Sequence, residues 1–224
     1  MDTIELARYL IGKTLVHDLP VGRLSGRIVE TEGYPPGDAA GRAFRGKIQG
    51  NQSLFLGRGY CHVYFTYGSS FMVNVTAEKP GIGAGVLLRA LEPLEGIDTM
   101  KRFRKTTCDR DIARGPGRLA EALHIDMRYD GVDLCAAGSL WLGTAVKPIA
   151  AVPRIRKDLI LQNSFDVINP TLFQARAHSK HAGPLHEALG SRCNLARRRH
   201  RRSHDWQASA EHRAGDGPLS PDWI

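Results

Sequence analysis

Apolar residues fall at helical spacing only at the start of the chain and in two short later stretches. Ile4, Ala7, Leu10 and Ile11 share one face, with Thr3 or Asp2 available as N-cap and Gly12 as stop, which predicts an opening helix. Thr14–His17 and Arg23–Glu32 then read as strands, separated by a turn containing Pro20 and Gly22. Tyr60–Tyr67 and Phe71–Thr76 read as a hairpin about Gly68-Ser69-Ser70. Val86–Leu91 is a strongly apolar strand, predicted to end at Pro93. Short helices are expected over Ile97–Arg104 and Arg118–His124, the second led in by Gly115-Pro116-Gly117. Strands cluster with few helices between them. That pattern predicts an α+β fold: a single domain with a curved, mostly antiparallel β-sheet flanked by short helices.

The pattern changes near residue 156. Residues 1–155 form the regular part, and 156–224 read as a divergent, Arg/His-rich segment, partly or wholly disordered beyond about 175. The later part holds six of the nine histidines and the run Arg197-Arg198-Arg199-His200-Arg201-Arg202. It carries 11 Lys/Arg against 7 Asp/Glu, the first 155 residues 20 against 16, so the shorter part is the more densely basic. The whole chain, 224 residues long, has a formal net charge of +8. Such a balance fits a nucleic-acid partner but specifies no chemistry. No apolar run approaches a membrane span, and Met1–Glu5 shows no signal peptide, so a cytoplasmic protein with no membrane partner is expected. Four scattered cysteines, none in a C-x-x-C pair, suggest reduced thiols and no metal site.

Candidate chemistry begins on the strand Arg27-Ile28-Val29-Glu30-Thr31-Glu32, whose period-two alternation puts both carboxylates on the face shared with Ile28. On spacing alone, two exposed charges at a strand end are the simpler account; a general base is the other. Tyr34 follows in a stiff Gly33-Tyr34-Pro35-Pro36-Gly37 turn. Tyr64 and Tyr67 have opposite parity, so one can line a pocket while the other points from the hairpin tip. Asn74 sits mid-strand and needs hydrogen-bond partners. Arg89, in an apolar strand, must meet an anion: Glu92, another carboxylate or a phosphate.

These residues carry a resemblance. Gly26-Arg-Ile-Val-Glu-Thr-Glu-Gly-Tyr34, Val63-Tyr-Phe-Thr-Tyr-Gly68, Asn74 and Gly85-Val-Leu-Leu-Arg-Ala-Leu-Glu-Pro-Leu-Glu-Gly96 resemble the alkyladenine (3-methyladenine) DNA glycosylase family, over about residues 3–155. The resemblance implies a monofunctional base-excision enzyme that flips alkylated or deaminated purines, such as 3-methyladenine and hypoxanthine, out of double-stranded DNA and hydrolyses their N-glycosidic bond with a carboxylate-activated water. It implies no cofactor and no metal, and a monomer as the default. It places Glu32 on the general base and Arg89 on the arginine that organises the site. Tyr34, Tyr64 and position 42 fall on groups that hold the extruded base, and Asn74 on an amide that disfavours guanine. Tyr67 falls on the minor-groove wedge, with Asn51, Arg45 and Lys47 expected among the DNA contacts.

The chain also departs from that family. Arg42 stands where histidine is common, and arginine adds a fixed charge that opposes a cationic substrate. Ile48-Gln49-Gly50 replaces the usual Thr-Pro-Arg before Asn51, His62 replaces a frequent tyrosine, and Ser69 and Ser70 replace larger side chains. Beyond Ile155 the sequence is unrelated to the family's, which predicts loss of the last strands of the core. The alternative function is therefore a catalytically impaired lesion-binding or DNA-binding relative. A basic RNA-associated protein is a third reading, without the signatures of common RNA modules.

Overall fold

The computed structural model describes residues 1–66, 68–144, 152–155 and 165–168, the last two stretches as backbone. The opening helix α1 (Thr3–Leu10) forms as its pattern predicts. Asp2 caps it in a capping box with Glu5, and Leu6, Ala7 and Leu10 are buried. Gly12, at φ 88°, turns the chain directly into β1 (Thr14–Leu19). The remaining strands are β2 (Gly22–Tyr34), β3 (Cys61–Thr66), β4 (Ser70–Thr76), β5 (Gly85–Glu95), β6 (Leu140–Gly143), β7 (Val152–Ile155) and β8 (Phe165–Ile168). Helices α2 (Ile97–Arg104) and α3 (Pro116–Ala122) follow β5. The main sheet runs β3-β4-β5-β2-β1-β6, with β8 joined to β2 and β7, and these pairings are antiparallel. The architecture is α+β, a curled antiparallel sheet with a few short helices.

The core lies where α1, α2 and α3 meet one face of that sheet. Leu6 and Leu10 of α1, Met100 of α2 and Leu119 of α3 join Leu15, Ile28, Val73, Val86 and Leu88 from the strands. Thr31 ties β2 to α1 by donating its hydroxyl to the Ala7 carbonyl at 2.9 Å. Among the described residues no helix is long and apolar enough to cross a membrane.

Three expectations need correction. β5 continues through Pro93 to Glu95, because Pro93 lies opposite Gly26 beside a register shift at Ser25/Gly26, where the ladder is already broken. Glu30 and Glu32 do not share the face of Ile28. The β2–β5 register shifts between Ile28 and Glu30 and again between Glu30 and Thr31, so Val29 and Arg89 are each skipped in the pairing. Alternation is thereby reset: Ile28 lies in the core, and the odd-numbered Thr31 and Gly33 are the residues that meet α1. The two carboxylates consequently face away from it. Finally, a strand does form beyond residue 155. β8 pairs with Glu30–Gly33, the part of β2 that extends past β1, covering backbone groups that would otherwise form an edge. The expected disorder beyond about residue 175 and the Arg197–Arg202 run lie outside the described residues.

Candidate active site

On the sheet face opposite the helices, strand register builds a row of side chains across four strands. His62 on β3 pairs with Asn74 on β4, Asn74 with Leu87 on β5, and Leu87 with Glu32 on β2. At about 4.8 Å per strand, the two ends of this row stand roughly 14 Å apart. Residues as far as 55 positions apart in sequence are thus brought side by side by register alone.

The β2 end of the row is a charge cluster. Glu32 has no exposed surface, and its Oε2 accepts a hydrogen bond from Arg89 Nη1 at 2.5 Å. Arg89 also donates Nε to Glu30 Oε1 at 3.1 Å. The guanidinium reaches both carboxylates because it projects from the bulged position of β5, directly beside the bulged part of β2. The anion that Arg89 requires is therefore this pair. Glu92 instead pairs with Arg27, at 2.7 Å.

Two residues further along β2, Tyr34 forms one wall of a cavity also lined by Arg42, His62, Tyr64, Asn74 and Gly85. Gly85 lies opposite both Tyr34 and Thr76, and its missing side chain leaves the hollow open. Gly83 is required by close approach: a Cβ there would lie 2.5 Å from the Phe55 ring and 2.6 Å from the Ala43 Cβ. The cavity holds about 40 Å³, room for a water molecule but not for a purine. Arg42, an exposed residue of the lining, places its guanidinium 4.0 Å from the Tyr64 ring centroid. Arg42 has no ion-pair partner among the described residues.

At the β3 end, His62 is 1% exposed and stacks on Tyr64 with ring centroids 5.4 Å apart. Its Nδ1 lies 2.6 Å from Ser53 Oγ and 3.2 Å from Asp130 Oδ1. Ser53 donates its hydroxyl to Asp130 at 2.6 Å, and the Val63 backbone N–H donates to the same oxygen at 2.9 Å. Burial alone would raise the Asp130 carboxyl, but the hydrogen bonds from His62, Ser53 and Val63 outweigh it and hold the group below the usual carboxylate range. His62 Nε2 is buried with no hydrogen-bond partner among the described residues. Asn74 donates a long hydrogen bond, 3.4 Å, to the His62 carbonyl.

The residues expected to touch DNA divide differently. Arg45 and Lys47 are exposed on the loop between β2 and β3. Asn51 is 1% exposed and is no surface contact. Its amide nitrogen donates to the carbonyls of Arg42 and Gly46, and its oxygen accepts the Ile48 N–H, so it clamps the loop that presents Arg42, Arg45 and Lys47. Ser70 packs against α3, where a Cβ on Gly117 would lie 2.8 Å from it. Tyr67 lies outside the described residues. Sequence reasoning noted His62 only as a departure and did not single out Ser53 or Asp130; the signal that could have found His62 is its shared parity with Tyr64.

Neither buried thiol is a nucleophile. Burial pushes the Cys61 thiol far up and the Cys135 thiol up to about 12, so both stay protonated. Among the described residues no group of three or more His, Cys, Asp or Glu is placed to hold a metal ion.

The sequence relatives agree on a family. A sequence model described as methylpurine-DNA glycosylase (MPG) matches residues 1–158. A protein of Mesorhizobium japonicum is 63% identical over 141 residues, covering 63% of this chain and 68% of its own length. One from Paraburkholderia phytofirmans is 51% identical over 158 residues, covering 69% and 74%. A third, from Methanocella arvoryzae, is 45% identical over 160 residues, covering 70% and 80%. Each carries the provisional name 3-methyladenine DNA glycosylase. With a match over residues 1–158, the chain belongs to the methylpurine-DNA glycosylase family, hydrolases acting on N-glycosyl bonds in DNA.

Proposed function

We propose that the chain removes alkylated or deaminated purines, 3-methyladenine and hypoxanthine among them, from duplex DNA as a monomer. The observation that supports this most is the cross-strand row, which sets the Glu32–Arg89 pair and the aromatic cavity on one face. A purine inside the stack is out of reach, so the damaged nucleotide is first extruded, at a cost of a few kcal/mol that is smaller for mismatched or damaged bases. The base lodges between Tyr34 and Tyr64, with Arg45 and Lys47 on the DNA backbone and Tyr67 as the wedge that fills the gap. Glu32 takes a proton from one water, whose oxygen bonds to C1′ as the C1′–N9 bond breaks and its electron pair leaves with the purine. Arg89 holds the carboxylate in position through its hydrogen bond to Oε2. An N3-alkylated purine is already cationic and departs neutral, so it needs no acid.

A second reading is favoured by one contact. Arg42 lies on the Tyr64 face where the base would stack, so the base must displace it, and a protein that binds lesions without releasing them would result if it does not. Single-turnover release from duplexes carrying hypoxanthine or 3-methyladenine separates the two. Release by the wild type, lowered at least about a hundredfold by Glu32→Gln, supports the glycosylase. Lesion-selective binding without release supports the second reading.

A further inference from the structure

Nε2 of His62 is a buried polar atom without a partner among the described residues, in a side chain that lines the cavity. A buried nitrogen left unsatisfied is costly, so its persistence calls for a reason. Which ring nitrogen donates follows from the groups on the other side of the ring. Ser53 Oγ has one hydrogen, and that hydrogen goes to Asp130. The same oxygen can then only accept from Nδ1, 2.6 Å away. Asp130, an ionised carboxylate, is acceptor-only as well. The chain of donation therefore runs from His62 Nδ1–H to Ser53 to Asp130, and in that tautomer Nε2 is a bare acceptor. His62 lines the cavity, whereas Ser53 and Asp130, the partners of Nδ1, do not.

We propose that His62 is a base-reading residue whose Nε2 accepts a hydrogen bond from an N–H of the extruded purine, with Ser53 and Asp130 as positioning residues that fix its tautomer. The inference rests on the glycosylase reading and deepens it by naming what the pocket recognises: purines that present an N–H donor, such as the N1–H of hypoxanthine. Arg42, which the base displaces from the Tyr64 face, is a donor only and offers no competing acceptor. A base lacking the donor leaves Nε2 buried and unsatisfied, and such sites reject analogues that lack the matching group.

Two measurements test this. Nitrogen-15 NMR of the histidine rings in the DNA-free protein should show His62 protonated at Nδ1 and bare at Nε2; the opposite tautomer overturns the proposal. In single-turnover release, His62→Phe should slow excision of hypoxanthine about tenfold more than excision of unsubstituted purine, which has no such N–H. Equal losses on both lesions overturn the proposal, because they report a general disturbance of the site. If the wild type releases neither lesion, the glycosylase reading fails on its own account. The proposal is then decided by adding free hypoxanthine: a moved His62 Nε2 resonance supports it, an unmoved one sinks it.

Discussion

The two ends of the cross-strand row are built on opposite principles. At the β2 end, the protein completes its own polar groups: Glu32 is fully buried and already holds Arg89, which also holds Glu30. At the β3 end, Ser53 and Asp130 satisfy only one nitrogen of His62, and the other has no partner among the described residues. A carboxylate that is to take a proton from water needs its cation in place before substrate arrives. A group that must discriminate is better left incomplete, since the right ligand then gains what the wrong one forfeits. The first end is set for chemistry, the second for selection.

The strongest way to break the comparison is at Arg89. Arg89→Ala leaves the buried Glu32 carboxylate without its guanidinium and should cost about 3–5 kcal/mol of stability, read from urea unfolding. The paired change Glu32→Gln with Arg89→Met should restore most of that loss, because it removes both charges; failure to do so would mean that the pair is not what Arg89 stabilises. A smaller effect is expected at the cavity mouth. Arg42→Ala removes the fixed cation from the Tyr64 face, so the rate of 3-methyladenine release relative to hypoxanthine should rise roughly tenfold, comparing a cationic with a neutral lesion. An unchanged ratio would place Arg42 outside the selection step.

The mildest effect sharpens the comparison through a second histidine. His17 is buried like His62 but has both nitrogens engaged, Nδ1–H with the Leu123 carbonyl at 2.6 Å and Nε2 with the Tyr129 hydroxyl at 2.6 Å. Burial lowers its pKa below the ordinary 6.5, partly offset by the Leu123 hydrogen bond. The folded state thus binds this proton less readily than the unfolded state. The stabilisation from neutral His17 is complete above about pH 6.5 and declines as pH falls below it. The urea midpoint should drop on acidification across that range, and His17→Gln should flatten this part of the profile; an equally steep profile in the variant would assign the dependence elsewhere.

Much of the fold was legible because it is local. The helical spacing of Ile4, Ala7 and Leu10 with Asp2 as cap, and the apolar run from Val86, define their elements without reference to the rest of the chain. Pairing was less legible. Whether Val29 is skipped depends on what β5 does at Arg89, about sixty residues later, and no alternation rule applied to β2 alone can show it. The site divides in the same way. Glu32, Arg89, Tyr34, Tyr64 and Asn74 sit in recognisable strings, and their roles remain for the experiments above to test. The state of His62 depends on Ser53 and on Asp130, 68 residues away, and only the folded chain joins them. Asn51 misled for a related reason, since a polar residue in a basic loop reads as surface until its three backbone partners are seen.

The paired bulges at Val29 and Arg89 behave as a phase shifter in the sheet. Each displaces the ladder by one residue, and because they lie on facing strands the displacements cancel, so Thr31 and Leu88 are again in step. Substitutions at Val29 leave that phase intact. Loss of the residue does not: it would transpose every side chain of β2 beyond it, turning Glu32 toward α1 and Thr31 toward the cavity. The catalytic candidate is therefore defined by a count of residues as much as by its own identity, and insertions or deletions in this strand are a far narrower path for evolution than replacements.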